Sequence, residues 1–279
     1  MTPAEQVAAV EARARRVDTP CGAGTMAWRI WGNGDPLVVS HGAQGAWSHW
    51  IRNIDTLVAA GRQVIAVDLP GHGDSADPAT PDHAGIVAAL AAGLDHVLGP
   101  GGTADFAGFS FGGVMFAWAA AAHPQRFRRL VLIGTGGLDT PHGDIRLRAI
   151  SGLRGEERHE ALRDNLCGLT LHHRASADDL AVHLLVTNAR KGSAVKPPQL
   201  VVPDRLVHIL PRVNVPIDAI WGEHDRPHPD PARQAAVIRR THPRAAMRVI
   251  PDCGHWAMYE RSQAFNAALL ETLATPPLR

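Results

Sequence analysis

The chain has 279 residues, of which 45% are hydrophobic, so it can build one large α/β domain or two smaller ones. Its net charge of +1 and pI of about 8.0 give no field that would favour nucleic acid or an anionic membrane surface as a partner. Three cysteines are too few, and odd in number, for a disulfide framework.

The first part of the chain alternates short apolar runs with helix-favouring stretches. Residues 3–16 predict a helix and lack the apolar core of a signal peptide, and the most apolar stretch, 112–122, is too short to span a bilayer. We therefore expect a cytoplasmic protein without a membrane partner. Buried strands are predicted at 26–31, 37–40, 64–67, 103–107 and 130–133, and further helices near 49–60, 82–98 and 111–123. This alternation predicts a parallel sheet with helices on both faces.

The pattern changes between residues 138 and 212, where no apolar strand run occurs. Helical spacing is found at 147–150, 156–166 and 178–189, and the Pro-, Gly- and Ser-rich stretch 191–203 predicts a loop. We interpret 138–212 as a helical insertion that lies over a core made of 1–137 and 213–279. The core resumes with strands at 217–221 and 247–250 and helices at 231–240 and 262–273.

Ser110 lies between Gly108 and Gly112, after a predicted strand and before a predicted helix. Gly-x-Ser-x-Gly in this context is the pattern of a nucleophile elbow, where the chain turns sharply and exposes the serine. Side chains at 108 and 112 would collide with the neighbouring strand or helix, which explains both glycines. Ser110 is therefore predicted to be a nucleophile.

A serine hydroxyl needs a histidine to take its proton and an acid to orient that histidine. Asp225 follows the predicted strand that ends at Trp221, and His255 follows the one that ends at Ile250. Because the carboxyl ends of parallel strands share one edge of a sheet, we expect both beside Ser110. Glu223 is a rival for the role of the acid.

Two backbone N–H groups, those of Phe111 and Ala43, are predicted to bind the oxyanion of an acyl-transfer reaction. Cys253 lacks a base of its own and is not expected to be a nucleophile. The histidines at 172, 173, 224 and 228 repeat no known ligand spacing, so we predict no metal site and no cofactor.

Five motifs resemble those of the α/β-hydrolase superfamily and cover nearly all of the predicted core. They are His41-Gly42, the run from Asp68 to Ser75, the run from Gly108 to Gly113, the run from Gly222 to Asp225, and Gly254-His255. The resemblance implies an α/β fold with a mostly parallel eight-stranded sheet, flanking helices and a helical cap inserted after the sixth strand.

The run from Cys253 to Glu260 is also similar to a motif of the meta-cleavage-product hydrolases, which split a carbon–carbon bond in 2-hydroxy-6-oxo-dienoates. In that family a tryptophan after the catalytic histidine lines the pocket, as Trp256 would here, and a cap arginine binds the substrate carboxylate, as Arg190 would. The family has asparagines where this chain has Phe109 and His49. Their loss removes polar contacts to a dienoate.

We therefore predict a serine hydrolase that forms an acyl-enzyme on a small carboxylic ester with an apolar acyl part. The expected substrate-binding residues are Phe109, Trp256, His49 and Arg190. The alternative is C–C bond hydrolysis of a meta-cleavage product, and a transferase or perhydrolase would keep the same triad. A remoter alternative is a non-catalytic receptor for a small ligand. A small-molecule substrate and a homodimer are the expected partners.

Overall fold

Eight strands form one sheet in the computed structural model, which describes residues 1–189, 193–202 and 204–275. In chain order they are β1 (Arg15–Cys21), β2 (Gly24–Trp31), β3 (Asp35–Ser40), β4 (Arg62–Val67), β5 (Ala104–Phe109), β6 (Phe127–Ile133), β7 (Ile217–Gly222) and β8 (Met247–Ile250). The order across the sheet is β1-β2-β4-β3-β5-β6-β7-β8. The β1–β2 and β2–β4 pairs are antiparallel and all the others are parallel, which confirms the predicted fold class.

The helices pack on both faces of this sheet. In chain order they are α1 (Pro3–Glu11), α2 (Ile54–Ala59), α3 (His83–Leu98), α4 (Phe111–Ala122), α5 (Gly155–Leu169), α6 (Asp179–Asn188), α7 (Pro197–Val201), α8 (Arg205–Ile209), α9 (Pro231–Arg239), α10 (Ala257–Glu260) and α11 (Ser262–Ala274). No helix in the described ranges is both long and apolar enough to cross a membrane.

Alternation along the strands divides the buried side chains into two clusters. In β3, Leu37 and Val39 belong to the cluster that also contains residues of α2 and α11, whereas Val38 belongs to the cluster that contains residues of α3 and α4. Successive side chains of a strand point to opposite faces, so a continuous apolar run indicates a strand covered on both sides. The apolar runs in β3 to β7 were predictable for this reason.

The sequence prediction missed elements that lack such a run. Residues 15–21 form β1, an edge strand with charged, exposed side chains, although part of this stretch was predicted to continue the first helix. That helix ends at Glu11. The predicted helix at 147–150 is wrong, because these residues have no regular structure, and α7 lies in the stretch 191–203 predicted as a loop.

Segment 138–212 lies between β6 and β7 and contains helices α5 to α8. Its described residues include no strand. It contacts the loops at the carboxyl ends of the core strands: the Trp256 N–H donates to the Thr170 carbonyl at 2.8 Å, and the Asn188 amide donates to the Ser48 hydroxyl at 3.0 Å.

Candidate active site

Ser110 occupies a sharp corner between β5 and α4. Its φ of 50° and ψ of −115° lie outside the regions that non-glycine residues favour. A Cβ on Gly108 would lie 2.5 Å from the Gly113 Cα, and one on Gly112 would overlap the Ser40 side chain. The expected collisions at both glycines are confirmed, and they show that a close strand-to-helix approach forces Ser110 into this conformation.

Asp225 and His255 lie in the loops that follow β7 and β8, and both are buried. His255 Nδ1 is 2.7 Å from Asp225 Oδ2, and the other oxygen of Asp225 accepts the His228 N–H at 2.8 Å. Glu223, the rival acid, is half-exposed and instead accepts the Asp252 N–H at 2.8 Å. The geometry therefore pairs His255 with Asp225 and not with Glu223.

The end of β6 brings the serine close to this pair. The Ser110 N–H donates to the Ile133 carbonyl at 2.8 Å. A Cβ on the next residue, Gly134, would lie 2.9 Å from Asp225 Oδ2 and 3.0 Å from His255 Nδ1. The residue after the Ser110 partner Ile133 therefore lies against Asp225 and His255, and a side chain at position 134 would collide with both.

The two predicted oxyanion donors, Phe111 and Ala43, belong to different segments of the chain. Phe111 is the first residue of α4, where a backbone N–H has no acceptor inside the helix. Ala43 belongs to the loop after β3, and this loop approaches the serine closely, since a Cβ on Gly42 would lie 3.2 Å from the Ser110 Cβ. Both predicted donors thus belong to segments next to Ser110.

His41 supports this loop from inside the protein. Its Nε2 accepts the Leu69 N–H at 3.0 Å, so its Nδ1–H is the group that donates to the Gly42 carbonyl at 2.7 Å. Burial lowers the pKa of the His41 imidazole to about 4. The ring is therefore neutral at pH 7 and holds the loop with both nitrogens, as expected of a structural residue.

Three of the predicted substrate-binding residues lie in contact with one another. The His49 ring packs against Phe109 at a centroid distance of 5.8 Å and against Trp256 at 4.8 Å, and its Nδ1 accepts the Gly42 N–H at 3.4 Å. The Phe109 ring lies 4.9 Å from the His255 ring. Desolvation lowers the pKa of His49 well below its ordinary value. Arg190 lies outside the described residues.

Two tryptophans of the turn at 47–50 pack into the core. Trp50 is fully buried, packs against Phe265 at 5.8 Å and donates to the Ser40 carbonyl at 3.0 Å. Trp47 packs against Trp31 at 5.4 Å and lies under the Arg29 guanidinium. Its contacts are those of a core side chain as well.

Two side chains to which the sequence analysis assigned no role in the site contact it. The His228 ring lies 5.4 Å from the His255 ring, and burial lowers its pKa well below the ordinary value. Glu260 is 8% exposed, and its carboxylate accepts the N–H groups of His172, His173 and Gly254 at 2.7–3.0 Å. Glu260 thereby joins segment 138–212 to the loop that carries His255.

Comparison with known proteins gives matches over most of the chain. A family model described as "Alpha/beta hydrolase family" matches residues 37–268. A 2-hydroxy-6-oxo-6-phenylhexa-2,4-dienoate hydrolase of Burkholderia cepacia is 30% identical over an alignment of 257 residues, with 87% of this chain and 89% of that protein covered. A 2-hydroxy-6-oxononadienedioate/2-hydroxy-6-oxononatrienedioate hydrolase of Burkholderia vietnamiensis is 31% identical over 256 residues, with 86% and 87% covered.

Solved structures resemble the whole fold. An esterase from Thermogutta terrifontis has a TM-score of 0.73 at 22% identity, with 95% of this chain and 100% of that chain covered. A meta-cleavage product hydrolase from Pseudomonas fluorescens has a TM-score of 0.71 at 21% identity, with 92% and 97% covered. At these identities the likeness shows a shared architecture.

Proposed function

The chain belongs to the alpha/beta hydrolase family and is a hydrolase, and we propose that it acts through a catalytic triad of Ser110, His255 and Asp225. The observation that carries this proposal is the buried 2.7 Å contact between His255 Nδ1 and Asp225 Oδ2. The Ile133 carbonyl accepts the Ser110 N–H, and the next residue, Gly134, lies against the His255–Asp225 pair. An acid on Nδ1 leaves Nε2 free to accept the serine proton.

The proposed reaction has two halves. Ser110 Oγ loses its proton to His255 Nε2 and attacks the substrate carbonyl carbon, and the oxyanion is held by the N–H groups of Phe111 and Ala43. Collapse of this intermediate expels the leaving group, which takes the proton from His255. Water then loses a proton to the same nitrogen and attacks the acyl-enzyme, Ser110 Oγ leaves and takes that proton back, and the carboxylic acid is released.

We propose a small carboxylic ester with an apolar acyl part as the substrate. Phe109 places an aromatic ring between His49 and His255, next to the nucleophile, and Trp256 extends the same wall. An apolar acyl chain gains by leaving water for such a surface, at roughly 25 cal/mol per Å² buried. Phe109 offers no hydrogen bond that a polar acyl group would need.

The test is a series of p-nitrophenyl esters from acetate to octanoate. We expect kcat/KM to rise with acyl length through at least butyrate, because each buried CH₂ contributes about 0.8 kcal/mol. A preference for acetate over all longer esters would contradict the apolar pocket. Failure of a fluorophosphonate probe to label the wild-type protein, with unchanged ligand binding by Ser110→Ala, would instead favour a receptor.

A second candidate is C–C bond hydrolysis of a 2-hydroxy-6-oxo-dienoate, which the activities named for the two Burkholderia relatives favour. Trp256 after His255 agrees with it, whereas Phe109 and His49 stand where that family has asparagines. The substrate named for the Burkholderia cepacia relative can be mixed with the enzyme and its visible absorbance followed. Absorbance loss faster than p-nitrophenyl butyrate hydrolysis would make this the main activity.

The proposal includes three further expectations. Segment 138–212 is a cap over the core of 1–137 and 213–279, which the hydrogen bond between Trp256 and Thr170 supports. The protein acts in the cytoplasm, where its three unpaired cysteines would stay reduced. It forms a homodimer, which light scattering of the purified protein would test.

A further inference from the structure

Three side chains from separate parts of the chain converge on the surface. His172 follows α5, His224 precedes Asp225, and Asp252 lies in the loop that leads to His255. One nitrogen or oxygen of each side chain lies within 4.8 Å of those of the other two. We propose that His172, His224 and Asp252 bind a divalent transition-metal ion, with Zn²⁺ as the representative ion.

The backbone at all three positions is fixed by hydrogen bonds. The His172 N–H donates to the buried Glu260 carboxylate at 2.9 Å. The His224 N–H donates to the Cys253 carbonyl at 2.8 Å, and the Asp252 N–H donates to Glu223 Oε2 at 2.8 Å. An ion therefore needs rotation of exposed side chains only, so the entropic cost of assembling the site is small.

The side chains already face one another. The rings of His172 and His224 lie 4.0 Å apart at an angle of 23°, and Asp252 Oδ1 is 3.8 Å from His172 Nε2. The other oxygen of Asp252 is engaged by the Arg261 guanidinium, which turns Oδ1 toward the histidines. His173 Nε2 lies 2.8 Å from Oδ1 and is the group that an ion must displace or recruit.

The donor set selects the class of ion. Two imidazole nitrogens and one carboxylate oxygen suit Zn²⁺ and its neighbours, with water in the remaining positions, whereas Mg²⁺ and Ca²⁺ prefer oxygen ligands. The bound ion would tie the residues after α5 to the loops that follow β7 and β8. Because the ligands come together only in the folded chain, binding would stabilise the fold.

The experiment uses the full chain without a polyhistidine tag. With free Zn²⁺ at about 100 times its Kd, we expect the melting temperature to rise by about 5 °C or more, and calorimetry to give one ion per chain. MgCl₂ at the same concentration should give no shift. No zinc-dependent shift, or an equal shift with MgCl₂, would overturn the proposal.

Two variants locate the ion. His172→Ala/His224→Ala should lose the zinc shift, whereas His159→Ala should keep it. His159 is the matched control because it lies with Glu156 and Glu160 in the other group of potential ligands found among the described residues. A shift that survives the double variant, or disappears in His159→Ala, would overturn the proposal.

A further variant separates lost binding from lost folding. Asp252→Asn keeps both imidazoles and should weaken Zn²⁺ binding at least 10-fold, and circular dichroism without metal checks that each variant is folded. Binding by Asp252→Asn equal to that of the wild type would exclude the carboxylate as a ligand and so contradict the site. None of these outcomes depends on whether the chain hydrolyses esters.

Discussion

The loops that carry Asp225 and His255 are held differently from segment 138–212. The loops follow neighbouring parallel strands, and the 2.7 Å contact between the two side chains follows from the register of the sheet. Segment 138–212 packs apolar side chains into both buried clusters of the core, and individual polar groups such as the Glu260 carboxylate and the Ser48 hydroxyl join it to the core loops. The triad side chains are thus placed by the sheet, whereas the segment meets the loops beside them through a few polar side chains. Substitutions in the two regions should therefore differ in their effects on kcat and on the free energy of unfolding.

The largest expected effect is on the core loops. Ser110→Ala and His255→Ala should each lower kcat for p-nitrophenyl butyrate by at least about 10³-fold, because either change removes the nucleophile or its base. The variants should remain folded, since the sheet does not depend on either side chain. Steady-state kinetics and thermal unfolding measure both properties.

Ser151→Ala is the matched control for this experiment, because Ser151 is exposed and lies in segment 138–212. It should hydrolyse the ester at the wild-type rate. Turnover by Ser110→Ala within 10-fold of that control would mean that catalysis does not use this serine. The comparison between the two regions would then lose its premise.

Glu260→Gln tests the point where the two regions meet. The carboxylate accepts three backbone N–H groups, and an amide would turn its NH₂ toward at least one of them. We expect the free energy of unfolding to fall by about 3 kcal/mol, because at least one of these buried N–H groups loses its acceptor and the others lose the negative charge of the carboxylate. We also expect kcat to fall roughly 10-fold, since a small displacement of a catalytic group is costly.

The control for Glu260 is Glu223→Gln. Glu223 also accepts a loop N–H, that of Asp252, but its side chain is half-exposed and does not join segment 138–212 to the core. The Glu223→Gln variant should lose less than about 1 kcal/mol of unfolding free energy and should keep the wild-type kcat. Equal effects of the two substitutions would show that Glu260 has no special role in linking the regions.

Residues placed by the strands could be predicted from the sequence, whereas residues that act through contacts between distant segments could not. Ser110 and Asp225 follow apolar strand runs and His255 follows the short strand β8, so local patterns were sufficient to predict the three residues and the parallel part of the sheet. Glu260 and His228 act through contacts with residues far away in the chain, which local patterns do not encode. The edge strand β1 was missed because only Val17, Thr19 and Cys21 turn inward, so it has no continuous apolar run, and its first residues continue a helix-favouring stretch.

The proposed metal site belongs with the features that spacing could not predict. His172, His224 and Asp252 come from three segments, so they form none of the short ligand motifs that identify zinc sites from sequence. Their approach depends on how segment 138–212 meets the two core loops. Such a site becomes visible only after the strands and the segment are placed together.

Acid should weaken the core through its buried histidines. The pKa of His41 is lowered to about 4 in the folded protein, whereas an unfolded histidine titrates near 6.5, so the unfolded chain binds more protons between these values. Stability contributed by the neutral ring is therefore present above about pH 6.5 and lost as the pH falls toward 4. The loss should approach about 2 kcal/mol at pH 5.

Urea unfolding at pH 7 and pH 5 measures this loss, and His41→Gln should make it smaller than in the wild type. His208→Gln is the control, because His208 is exposed on α8 and pairs with Asp204 at 2.8 Å. His208→Gln should change the pH dependence less than His41→Gln does, because exposed ion pairs contribute little to stability. If His41→Gln also left the pH dependence unchanged, the ring would not be the neutral support that its two hydrogen bonds indicate.

The smallest expected effect concerns Ser48 and Asn188, where segment 138–212 contacts the turn after the predicted oxyanion loop. The Asn188 amide donates to Ser48 Oγ at 3.0 Å, and both side chains are buried. Ser48→Ala should cost about 1 kcal/mol by leaving the amide without this partner. It should raise KM by a few fold with little change in kcat, because the triad is held by the core.

A double-mutant cycle with Asn188→Leu measures the coupling between the two side chains. A coupling energy near zero would mean that this contact does not place the segment. A fall in kcat as large as that of Glu260→Gln would mean that the two regions are less separable than their contacts indicate.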